Sequence, residues 1–187
     1  MHLILASSSA RRKFLLRMLV DCFESVAPAI DEVPEVGEAP SAYTMRLAKA
    51  KAKKCWGTDS VALGGDTIVV LDQEIMAKPM DITHAKEYLV RLSGRIHEVH
   101  TSIAVWNGAY FLTDHISSEV KFIKLTNRMI DQCIDRDDSL NKAGGYAIQG
   151  FAGSFVQSIR GSYSAIVGLP LCETRELLIK AGVIPYD

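Results

Sequence analysis

The stretch SVALGGDTIVVLD, at 60–72, constrains the fold more than any other. Both flanks are apolar enough to be central strands, and they meet at Gly64, Gly65 and Asp66. The pattern predicts strand on either side of a Gly-Gly-Asp break. Glycines in such a run let another backbone or a ligand approach closely. An aspartate there is paired, a metal ligand or a catalytic base, unless it is a plain turn residue after the glycines.

Around this stretch strands and helices interleave. Residues 3–6 read as a buried strand, 11–19 as a helix and 22–28 as a second strand, followed by an acidic, proline-containing loop. Pro40 and Ser41 open a helix that runs through SAYTMRLAKAKAKKCW. Asp81 and Gly94 bracket another helix, with Asp81 near its start and Gly94 at its end. Two alternating runs flank Asn107-Gly108, a hairpin turn signal. A helix near 127–135, a glycine-rich stretch 144–153, a strand and a helix near 171–181 complete the chain. Interleaved elements with one long hairpin predict an α/β fold, its mixed sheet flanked by helices.

A chain of 187 residues suits one well-buried domain over 1–187, or one of two lobes with a central cleft. A net charge of −1 excludes a general polyanion binder, so any phosphate must meet a few placed cations. Cys22, Cys55, Cys133 and Cys172 lack CxxC or zinc-like spacing, a pattern that suits reduced thiols in the cytoplasm. No apolar run approaches the length of a membrane span, and the opening segment leads into arginines rather than a signal-peptide core.

Several side chains are placed where bare packing would not put them. Arg11, Arg12 and Lys13 crowd a helix start, the end that carries partial positive charge. Backbone N–H groups, the hydroxyls of Ser7–Ser9 and two guanidiniums there would cradle phosphate. A solvated helix start is the plainer alternative, and Lys13 is expected to point to solvent. On the next helix Tyr43, Leu47, Lys51 and Cys55 follow at four-residue steps, so Lys51 projects from the apolar face. A buried ammonium either snorkels outward or meets an anion, and nothing local supplies one. Asp31-Glu32 offers a second carboxylate for a hard cation such as Mg2+, though an acidic loop is commonly just solvated. Lys78 beside Pro79 is uninformative alone. In NKAGGYAIQG, Lys142, the glycines and Gln149 make a poor core, and Gln149 could read a base edge.

Other readings fail. His97 and His100 in HEVH would point to opposite faces of a strand, which rules them out as paired metal ligands. The sequence has no GxxxxGK[ST] loop, no GxGxxG fingerprint and no GxSxG elbow.

The ordered set LASSSARRKFLL, RLAKAKA, GGDTIVV, KPMDITHA, LSGRIHEVHT, NKAGGYAIQG and GSYSAIVGLPLCET resembles the Maf family of nucleoside triphosphate pyrophosphatases over essentially the whole chain. The resemblance implies an elongated α/β fold of the inosine-triphosphatase-like type, with a central mixed sheet, and usually a homodimer. It implies hydrolysis of a nucleoside triphosphate to the monophosphate and pyrophosphate with a divalent metal, Mg2+ or Mn2+. Ser7, Arg11 and Arg12 would engage the phosphates, with Glu32, Lys51 and Lys78 lining the same cleft. Asp66 would accept the proton, and Glu32 and Asp66 would serve the metal. Thr67 together with IQG resembles the branch acting on dTTP and UTP, with Arg11, Thr67 and Gln149 as discriminating positions. Ala10 stands where the family usually has proline, and Asn141 where it usually has aspartate. The expected partner is a nucleotide rather than a nucleic-acid polymer or a membrane. A nucleotidyltransferase and a non-catalytic nucleotide-binding regulator of cell division are the competing readings.

Overall fold

The computed structural model describes residues 2–137 and 139–186. Its strands are β1 (His2–Ala6), β2 (Glu24–Val26), β3 (Ser60–Leu71), β4 (Glu74–Met76), β5 (Ile96–Trp106), β6 (Phe111–Phe122) and β7 (Val156–Arg160). The helices are α1 (Ala10–Leu16), α2 (Pro40–Cys55), α3 (Ile82–Leu92), α4 (Asn127–Arg136), α5 (Tyr163–Val167) and α6 (Leu171–Lys180). The strands form one sheet in the order β2-β1-β3-β5-β6-β7, with β4 also on β3. It is mixed: β1 runs parallel to β2 and β3, whereas β4 on β3 and β7 on β6 are antiparallel.

The expected interruption at Gly64-Gly65-Asp66 is absent, and β3 runs through all three residues. Neither glycine takes a positive φ. The glycines make room instead of a turn. A Cβ on Gly64 would lie 2.1 Å from the Ala48 carbonyl oxygen and 2.7 Å from the Ala52 nitrogen, so α2 rests its backbone directly on the strand.

Helix starts follow local chemistry. Pro40 opens α2 at a position where its missing N–H is not needed. Asp81 caps α3 by accepting from the His84 N–H at 2.8 Å, and Thr126 caps α4 by accepting from Met129. At the hairpin, Asn107 Oδ1 accepts from the N–H groups of Ala109 and Tyr110, and Gly108 takes the positive φ of 95°. β4 and α5 were not legible in the sequence, both being too short to show a period.

The chain forms two compact units. The first comprises 1–66, 101–116 and 168–187. In it Ile4, Ala52 and Ala62 pack with Trp56, Trp106 and Phe111. Lys49 and Lys53 lie over the Phe111 and Trp106 rings. Lys13 is half-buried and lines an open surface hollow shared with Arg17, Asp21 and Glu24.

The second unit comprises 67–100 and 117–167. Its core gathers Val69, Leu89, Val120, Phe122, Tyr146 and Phe155 among others. The glycine-rich stretch, expected to make a poor core, supplies Tyr146 to it. Gly144 lies so close to Val69 that a Cβ would sit 2.9 Å from that side chain, and its φ of 66° favours glycine. The Tyr146 hydroxyl meets His97 Nε2 at 2.6 Å, and burial lowers the His97 pKa to about 4.

Candidate active site

The close approach of α2 to β3 determines what Lys51 meets. With Ala48 and Ala52 against Gly64, the next inward position on α2 carries Lys51 over Asp66. Its Nζ donates to Asp66 Oδ1 at 2.7 Å, and both residues are buried. The same ammonium lies 2.7 Å from Glu32 Oε1. The anion missing from the local sequence therefore comes from two other segments, a strand and the acidic loop. One cation holds two carboxylates.

The acidic loop is itself held by α2. Tyr43, two turns before Lys51 on the same face, donates its hydroxyl to the Glu32 carbonyl at 2.6 Å. Arg46 forms a fork on Glu38, with Nε donating to Oε1 at 2.7 Å and Nη2 to Oε2 at 2.6 Å. Its Nη2 also donates to the Val33 carbonyl at 3.2 Å. Burial, reinforced by the charges of Asp66 and Glu32, pushes the Tyr43 phenol up to about 12. It therefore stays a proton donor at neutral pH.

The serine-arginine turn completes the cluster. Ser9 caps α1 by accepting from the Arg12 N–H. Ser7 Oγ accepts from the Ser9 N–H at 3.2 Å and from Arg12 Nη1 at 3.4 Å. Arg12 Nε donates to the Gly168 carbonyl at 2.8 Å, which fixes the guanidinium plane. A Cβ on Gly65 would lie 3.4 Å from that Nε, so the arginine crosses β3 immediately before Asp66. Burial pulls the Arg12 pKa below its ordinary value, and the nearby charges of Asp66 and Glu32 oppose that pull. Arg11, half-buried, precedes it on α1.

Of the residues expected from sequence, Ser7, Arg11, Arg12, Glu32, Lys51 and Asp66 belong to the first unit. A hydrogen bond joins Ser7 to Arg12, ion pairs join Lys51 to Glu32 and Asp66, and the charges of both carboxylates act on Arg12. Thr67, Lys78 and Gln149 belong to the second unit. There Thr67 is half-buried on β3, while Lys78 and Gln149 are exposed on the segments 77–81 and 147–150. Two contributors escaped the sequence. Tyr43 shares the Lys51 face and was legible as packing but not as an anchor for the loop. The Gly168 carbonyl is 156 residues from Arg12 and carries no side-chain signal at all.

The cluster can hold a polyanion by its cations and take a proton on a carboxylate. Among the described residues no group of three or more His, Cys, Asp or Glu is gathered to hold a metal. Glu32 and Asp66 do converge on one point, the Lys51 ammonium, and both offer hard oxygen donors. Two carboxylates suit Mg2+ or Mn2+ where phosphate oxygens and water fill the remaining positions.

The relatives of this chain agree closely in length with it. A protein from Shewanella oneidensis, dTTP/UTP pyrophosphatase, is 46% identical over 194 residues, covering 98% of this chain and 100% of that protein. The dTTP/UTP pyrophosphatase of Escherichia coli K12 is 42% identical over 179 residues, covering 94% of this chain and 91% of its own. Among solved structures, a HAM1 protein from Coxiella burnetii aligns with a TM-score of 0.44 and 18% identity, over 65% of this chain and 73% of that one. The Staphylococcus aureus Ham1 protein aligns with a TM-score of 0.46 and 11% identity, over 65% and 72%. A family model described as Maf-like protein matches residues 2–181, and on that match and these identities the chain belongs to the Maf family.

Proposed function

We propose that this chain hydrolyses nucleoside triphosphates, dTTP and UTP foremost, to the monophosphate and pyrophosphate. The observation that carries the reading is the Lys51 ammonium, buried between Asp66 and Glu32 with Arg12 alongside. A buried carboxylate beside fixed cations is the equipment for moving a proton next to a polyphosphate. The relatives named dTTP/UTP pyrophosphatase support the substrate class.

In this mechanism Asp66 accepts a proton from the attacking water. The water oxygen bonds to the α-phosphorus, the bond from that phosphorus to the bridging oxygen breaks, and pyrophosphate departs with the electron pair. Arg11, Arg12, Lys51 and Lys78 stabilise the charge that builds on the leaving group. Ser7 orients Arg12, as its hydroxyl already does. Glu32 and Asp66 would hold Mg2+ or Mn2+, which when bound acidifies water and neutralises phosphate charge. Thr67 and Gln149 select the base. Four unpaired cysteines suit a reducing cytoplasm, and the homodimer implied by the resemblance is part of the reading.

A pyrophosphate-release assay with Mg2+ or Mn2+ across dTTP, UTP, CTP, 5-methyl-UTP, 7-methyl-GTP and the purine triphosphates tests this. The expected result is turnover in water alone with dTTP and UTP preferred. A purine preference overturns the substrate class. A need for an acceptor substrate, or tight binding without turnover, overturns the reaction.

A further inference from the structure

We propose that Asp137 is a positioning residue that fixes the turn bearing Gln149 and thereby sets discrimination among pyrimidine bases. The inference rests on the reading of Gln149 as a base-selecting side chain.

Asp137 ends α4, its N–H donating to the Cys133 carbonyl at 2.8 Å. Its carboxylate does not turn to solvent. Oδ1 accepts from the Phe151 N–H at 2.9 Å and Oδ2 from the Ala152 N–H at 3.1 Å. Those are the first two N–H groups of a 3-10 helix, Phe151–Phe155, whose N-cap is Gly150 and supplies no side-chain cap. Asp137 thus caps from a different segment a helix that cannot cap itself, with a charged acceptor at its positive end.

The fit is close. A Cβ at Gly150 would lie 2.4 Å from Asp137 Oδ1 and 2.7 Å from Oδ2, so the carboxylate occupies the space a side chain would need. The Arg136 guanidinium lies 4.8 Å over the Phe151 ring, a second tether from the same helix end. On the other side the Gly150 N–H donates to the Ala147 carbonyl at 3.0 Å. Gln149 sits exposed on this turn, between the Ala147 bond and the Asp137 clamp.

A glutamine carboxamide is two-faced. One orientation offers an acceptor and a donor to the N3–H and O4 of uracil or thymine, and the flipped one serves the N3 and N4–H2 of cytosine. Flipping is a rotation within the side chain, so discrimination requires a turn that holds the carboxamide in register with the uracil or thymine edge, and a loosened turn lets it meet either base. The clamp supplies that hold.

The test measures kcat and KM for dTTP, UTP and CTP with Asp137→Ala, Asp137→Asn, Gln149→Ala and Val99→Ala. Asp137→Ala is expected to lower the dTTP-to-CTP ratio of kcat/KM about tenfold, chiefly through a higher KM for dTTP. Asp137→Asn, which keeps one acceptor, falls between it and wild type. Val99→Ala, a change in the same core that leaves the Asp137 carboxylate and its partners alone, keeps the ratio. If Gln149→Ala lowers the ratio and Asp137→Ala does not, the proposal is overturned while the reading of Gln149 stands. If Gln149→Ala leaves the ratio unchanged, or wild type treats dTTP and CTP alike, the reading of Gln149 fails and takes the proposal with it. Should the alanine variant not fold, the asparagine variant decides: a lowered ratio supports the proposal and a wild-type ratio overturns it.

Discussion

Replacing Lys51 by methionine keeps most of the side-chain volume and deletes the charge that two carboxylates share. The Lys51 side chain is 7% exposed and that of Asp66 is 10%, so little water screens the pair. At their 2.7 Å separation the attraction is about 6 kcal/mol with an effective dielectric of about 20, most of it offset by desolvation. The net worth of the pair is small, but an abandoned buried charge is not: removing one partner typically costs about 3–5 kcal/mol. Glu32 is 43% exposed and can turn to water, adding less than about 1 kcal/mol. The assay is urea unfolding at pH 7 followed by tryptophan fluorescence. Both tryptophans, Trp56 and Trp106, lie in the first unit, so the signal reports the unit that holds the pair. With an m-value of about 2 kcal/mol/M, the midpoint falls by about 2 M at unchanged m. Adding Asp66→Asn to Lys51→Met removes the orphaned charge and returns at least about 2 kcal/mol. A single-variant loss below about 1 kcal/mol, or a double variant as unstable as the sum of the singles, refutes the reasoning.

Two further outcomes are expected. Gly64→Ala places a methyl group 2.1 Å from the Ala48 carbonyl oxygen, which forces α2 off β3 and Lys51 off Asp66. Stability falls by about 3 kcal/mol and turnover is lost, and a variant with wild-type melting and rate contradicts the packing. His97 is neutral when folded, its pKa held at about 4 by burial. Its contribution is complete above the unfolded value near 6.5 and is lost as pH falls toward about 4, about 3 kcal/mol in all. His97→Gln flattens that part of the stability–pH curve measured by urea unfolding, and an unaltered slope assigns it to other groups.

What the sequence reveals and what it hides follow from the range of the forces involved. Periodicity and caps act within a few residues, so α2, α3 and the 107–110 hairpin turn were legible from Pro40, Asp81 and Asn107. The strand at 60–71 was legible too, but its continuity was not. Gly-Gly inside an apolar run signals a break or a close approach, and only the tertiary partner decides which. Here Ala48 and Ala52 decide it. Lys51 stood out as a misplaced charge on an apolar face, whereas its two partners lie on separate segments and left no local mark. Gly168 and Asp137 act through a backbone carbonyl and a backbone-directed carboxylate, contacts without any residue pattern.

The central claim is that Asp66 receives the proton of the attacking water, and its most direct test is pyrophosphate release from dTTP by Asp66→Asn. The amide keeps the shape and still offers Lys51 an oxygen, and Glu32 still pairs the ammonium, so the variant keeps the wild-type circular dichroism spectrum and loses less stability than Lys51→Met. Turnover is expected to fall by about a thousandfold, within the span of general-base catalysis. A folded Asp66→Asn variant that releases pyrophosphate within tenfold of the wild-type rate contradicts the account.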